Sequence, residues 1–152
     1  MYSFLLPFHS VIRWLVLFSL LYAIYISLVG KRKQLPYTKK VNAVRHWTAT
    51  LAHIQLVIGI ILYTQSPIVT YFFSNGIGEW NDSLFFGLVH IIFMPIAIVI
   101  ITIGSAKAKR KSTDSEKYQT MLRYFAIGLF IILIAIPWPF SPLAHRPYIR
   151  PF

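Results

Sequence analysis

The sequence predicts an all-α protein, a transmembrane four-helix bundle with both termini on the outer face. Three observations carry that expectation. Hydrophobic residues fill 57% of the 152 positions and charged residues only 12%, far from the balance of a soluble domain. The apolar residues gather into four long runs, and the basic residues gather between them.

The runs extend over about 8–29, 47–63, 83–104 and 122–138, within a single membrane domain covering 1–152. A helix rises ~1.5 Å per residue, so runs of this length cross a hydrocarbon core of ~30 Å. The fourth run is the shortest. It reaches full length only if Arg123 snorkels to the interface, and Pro137 and Pro139 end it. The first run has no basic residue ahead of it, no small-residue cleavage pattern behind it and Arg13 within it. It is expected to stay in the mature protein and not to act as a removable signal.

Orientation follows from charge. Lys31, Arg32, Lys33, Lys39, Lys40 and Arg45 lie between the first and second runs, and Lys107, Lys109, Arg110, Lys111, Lys117 and Arg123 between the third and fourth. The connection between the second and third runs has no Lys or Arg. The positive-inside rule then places both basic loops in the cytoplasm. Tyr63, Tyr71, Phe72, Phe73, Trp80, Trp138 and Phe140 gather at the opposite ends, where an aromatic belt would mark the outer interface. The expected location is an inner (cytoplasmic) membrane, crossed by several passes.

The formal net charge of +11 is spread over segments flanking apolar runs, where it serves orientation and forms no single patch. No nucleic acid is expected as a partner. Absence of cysteine excludes disulfides, iron–sulfur ligation and thiol chemistry. No loop is long enough to bury a core of its own, so any chemistry belongs among the helices.

Ionisable groups inside a span cost ~2.5–3.5 kcal/mol at mid-membrane and are functional candidates by default. Four qualify: His9, Arg13, His53 and His90. His53 stands ten residues below Tyr63 and His90 seven below Ser83, depths of ~15 and ~10 Å. The pair is thus expected near one level on adjacent helices, where two imidazoles can grip a haem iron. His9 and Arg13 share a face at i, i+4. No Asp or Glu lies inside a span, so the membrane partner of Arg13 would be a haem propionate, a quinone carbonyl or a group from another subunit. Glu79 and Asp82 in the outer loop are the plainer alternative. Gly59 and Gly87 would let backbone approach a flat ring or a neighbouring helix, and Pro95 should kink the third helix. The bland readings are interhelical hydrogen bonds for His53 and His90, snorkelling for Arg13, and interfacial positions for His46 and His145.

The strings HSVIRW at 9–14, HIQLVIGIILY at 53–63, the His90 helix ending in ITIGSAKAKR, and IPWP at 136–139 resemble small four-helix membrane proteins of Bacteroidetes-type bacteria identified as cytochromes b. The resemblance spans nearly the whole chain and implies haem b and electron transfer. In that family an acidic residue often precedes the histidine of the third helix. Val89 stands there in this chain, without the hydrogen bond a carboxylate would supply.

The leading expectation is a b-type cytochrome that carries single electrons, with one haem in the outer half of the bilayer. Its axial ligands would be His53 and His90, and Arg13, with His9, would hold the propionates. Lacking an intramembrane carboxylate relay, such a chain would be an electron carrier or a subunit of an oxidoreductase complex, not an enzyme alone. Its partners would be the lipid bilayer and other respiratory or membrane-complex subunits. Two alternatives stand beside it: a haem-free structural or assembly subunit, and a membrane anchor with a quinone pocket at His9, Arg13 and Gln55.

Overall fold

The computed structural model describes residues 1–77, 80–140, 144 and 146–149. Glu79 and His145 lie outside them. The described residues contain five helices and no strand: α1 Tyr2–Arg32, α2 Lys39–Gln65, a short α3 Pro67–Asn75, α4 Asp82–Arg110 and α5 Asp114–Ala135. All but α3 are long and apolar enough to cross a membrane, and the chain is a multi-pass membrane protein with the architecture of a four-helix bundle.

Each boundary has a local cause. Helix α1 closes on a Schellman turn: Gln34 takes a positive φ of 53°, Leu35 N–H reaches Gly30 O at 3.0 Å, and Pro36 follows. The hydroxyl of Thr38 caps α2 by accepting from Val41 N–H. Ser66 ends α2 and caps α3, because Pro67 cannot continue one helix but suits the first turn of the next. Asn81 Oδ1 accepts from Leu84 N–H at 3.0 Å and starts α4. Thr113 and Glu116 form a capping box at the head of α5. At the far end, α5 stops at Ala135, before Pro137.

The spans pack as a ring in the order α1, α2, α4, α5, so α1 and α4 face each other across the interior. Leu20, Ala23, Ala52, Ala97, Ile101, Met121 and Phe125 fill the centre. Gly128 permits the tight α4–α5 approach, since a Cβ there would lie 2.5 Å from Ile101 Cγ1. Outside, Phe18, Tyr25, Val57, Val99 and Phe130 are exposed, the last at 65%. Such a surface suits lipid and not water.

The start of α1 and Tyr148 of the tail lie at one end of the bundle, the mouth end, with α3. The short loops at 33–38 and 111–113 form the other, basic end. Helix α3 was not among the expected elements. Phe72 of α3 packs onto Gly87 of α4, so this aromatic belongs to the packing and not to an interfacial belt.

Candidate functional site

A cavity of about 180 Å³ opens at the mouth end, and all four spans contribute to it. Helix α1 supplies His9 and Arg13, α2 supplies Gln55, Gly59 and Tyr63, and α4 supplies Phe86, His90 and Met94. Ile132 of α5 and Arg146 of the tail complete the wall. Most of this lining is apolar, with the polar groups few and specific, as in ligand sites generally.

His90 is aimed by its backbone. Residues Phe85–Val89 form a π turn inside α4, which inserts one residue and rotates the following turns by ~100°. The hydroxyl of Tyr63 donates to Gly87 O at 2.8 Å and fixes that turn to α2. His90 Nδ1 lies 3.0 Å from Ala135 O. A carbonyl can only accept, so Nδ1 carries the hydrogen and Nε2 keeps the lone pair. A carbonyl that holds the far ring nitrogen in this way is what orients metal-binding imidazoles. Phe85 and Phe86 flank the ring at 5.9 and 5.8 Å.

His9 approaches from the opposite span. Gly59 makes room for it: a Cβ there would lie 3.2 Å from His9 Cε1. Gln55 Nε2 donates to His9 O at 2.9 Å and so ties α2 to α1 beside the cavity. His9 Nδ1 and Gln55 Oε1 are buried with no hydrogen-bond partner among the described residues.

The tail crosses the mouth and joins α1 to α4. Arg13 and Trp14 both donate to Tyr148 O, Trp14 at 2.9 Å. Arg146 pairs with Asp82 at 2.5 Å and sits over the Phe86 ring at 5.0 Å. Asp82 therefore serves Arg146 and is not the partner of Arg13. Sequence reasoning passed over Arg146 and Tyr148, because an irregular tail has no periodicity from which to read its position.

His53 is elsewhere. Its Nε2 lies 2.8 Å from Thr102 Oγ1 in a second hollow, nearer the basic end. Thr102 stands twelve residues beyond His90, ~18 Å along the helix. This differs from the expected pairing of His53 with His90: His9 shares the cavity with His90, and His53 lines the second hollow. Two physical reasons explain the change. The bond from Tyr63 to Gly87 sets Tyr63 level with Gly87 and not with Ser83, which leaves His90 three residues below Tyr63 but His53 ten. The cavity face of α2 is also Ala52, Gln55, Leu56, Gly59 and Tyr63, a 3.6-residue stripe from which His53 is turned outward. His46 lines the same second hollow.

Compared with known protein families, with curated proteins and with solved structures, the chain matches none. Among the described residues no group of three or more His, Asp or Glu gathers to hold a bare metal ion. Iron already held in a macrocycle asks for only two protein ligands.

Proposed function

We propose that this protein is a membrane b-type cytochrome, or such a subunit of a larger complex, with one haem b in the mouth-end cavity. His9 and His90 would hold its iron and Arg13 and Arg146 would balance its carboxylates, which requires the helices to part around a cavity that at about 180 Å³ now has room for a single small ring. The observation that carries this reading is the pair of imidazoles on diagonally opposed helices facing one apolar cavity. One has its tautomer set for ligation, and the other has a buried ring nitrogen without a partner. Gly59 is the cradle on which His9 rests. When bound, the haem supplies one-electron redox chemistry. The chain's own residues orient the imidazoles, exclude water and balance the carboxylates. With the basic loops in the cytoplasm, the mouth faces outward and the site lies in the outer half of a bacterial inner membrane. Electrons would pass to and from a quinone-linked or cytochrome partner.

One observation favours a second reading, a quinone pocket. The cavity of about 180 Å³ is close to the ~150 Å³ apolar cavity that accepts a single benzene ring. Its buried acceptors, His9 Nδ1 and Gln55 Oε1, suit quinol hydroxyls.

The test is a dithionite-reduced minus air-oxidised absorbance spectrum of detergent-purified protein made with ample haem. A b-type band lost in His9→Ala and in His90→Ala but kept in His53→Ala supports the cytochrome. A featureless spectrum in wild type rejects it and leaves the quinone pocket or the haem-free subunit.

A further inference from the structure

The hollow at the basic end carries a chemistry independent of the mouth-end cavity. It measures about 260 Å³ and lies between α2 and α4, lined by Arg45, His46, His53, Thr102, Ser105 and Lys109 among others. Arg45 is only 5% exposed. Its guanidinium donates to Asn42 Oδ1 at 3.1 Å, to Ser105 O at 2.9 Å and to Ser105 Oγ. All three acceptors are neutral, so these bonds leave its charge unanswered and N–H donors to spare.

No carboxylate of the described chain answers that charge. The protein has four acidic residues. Asp82 pairs with Arg146, Asp114 with Lys117 and Glu116 with Lys111. The fourth, Glu79, lies outside the described residues. The Tyr37 hydroxyl is near Arg45, but burial pushes its pKa up to about 12 despite the nearby cation, so it stays neutral. A buried cation without a counter-charge is costly, and Lys109 at the same hollow adds a second positive charge.

We propose that this hollow binds the phosphate head group of an anionic phospholipid, with Arg45 and Lys109 as the charge partners and the His53–Thr102 pair at its inner edge. Basic pockets between spanning helices at the cytoplasmic side are suited to such head groups. The hollow's surroundings favour a lipid over a soluble anion. Trp47 is large, apolar and exposed, with its ring 5.9 Å from that of His46 at the hollow's edge, where an acyl chain would lie. His53 also falls well inside the apolar run of α2, a depth that a free hydrated anion reaches only at high cost.

The test is thermal unfolding of the full-length protein in a neutral detergent, with added phosphatidylglycerol, phosphatidylcholine or inorganic phosphate. Phosphatidylglycerol at a hundredfold excess over its Kd is expected to raise Tm by ~5 °C or more, and phosphatidylcholine by far less. Lys109→Gln should lose at least half of that shift. Lys33→Gln, an exposed cation at the same end outside the hollow, should keep it. Arg45→Gln should lose the response altogether, and if it does not fold, Lys109→Gln against Lys33→Gln decides alone. Equal shifts from the two lipids, or equal losses in Lys109→Gln and Lys33→Gln, would overturn the site. Inorganic phosphate reproducing the full shift would overturn the lipid as its occupant.

Discussion

Tyr63 and Gly87 are joined across the bundle by a 2.8 Å hydrogen bond from the phenol to a carbonyl of the π turn. That bond sets the vertical register of α2 against α4. It puts His90 one turn below Tyr63 and leaves His53 far deeper, and thereby decides which histidines can act together. Tyr63→Phe removes the donor and keeps the ring. Hydrogen bonds between membrane helices average ~0.6 kcal/mol, up to ~1.7. The variant should lose stability in that range, and on the cytochrome reading its reduced spectrum should broaden as the π turn loosens. Calorimetry and the reduced spectrum check the two effects separately.

Gly59 offers a sharper test of the His9 assignment. Gly59→Leu would fill the space His9 occupies, since even a Cβ lies 3.2 Å from its ring. It should abolish the b-type band while the helical circular dichroism stays near wild type. Gly128→Leu meets Ile101 and the Ala97 carbonyl in the packed α4–α5 seam. Overpacking of that kind costs ~1–3 kcal/mol, so there the loss should appear first in Tm.

His53→Ala separates the two hollows. It removes only the contact with Thr102, so the cofactor band should survive, and stability should fall by no more than about 1 kcal/mol. Loss of the band in this variant would restore His53 as a ligand and defeat the His9 assignment.

The latch of the tail should be weak and still matter. Asp82 is partly exposed, and ion pairs of that kind contribute ~0–1 kcal/mol. Arg146→Gln is expected to change Tm little but to expose the segment after Trp138 to protease. Timed proteolysis with mass spectrometry would show faster cleavage there than in wild type.

Tyr37 should leave a mark at high pH. Its folded pKa of about 12 exceeds the ordinary tyrosine value of 10.0, so the folded state holds the proton more tightly than the unfolded state does. The stability this brings is fully present below about pH 10 and is lost as pH rises toward 12. Tyr37→Phe should flatten the fall of Tm across that window, and an identical fall in both proteins would remove Tyr37 as its source.

Much of the fold was legible because its causes are local. Four apolar runs, the segregation of Lys and Arg to alternate connections, and the caps at Thr38, Ser66–Pro67 and Thr113–Glu116 act within a few residues of themselves. The sequence by itself determined the number of spans, the ends at which charge and aromatics gather, and the short set of ionisable residues inside the spans. The tertiary structure alone decided how that set divides, with His9, Arg13 and His90 at one cavity and His53 at another, beside a buried Arg45 that the charge pattern assigns to a basic connection. Level and azimuth on a helix depend on partners distant in sequence. The π turn before His90, the Tyr63 bond and the return of Arg146 and Tyr148 across the mouth are contacts of that kind, and counting residues inward from the end of an apolar run does not register them.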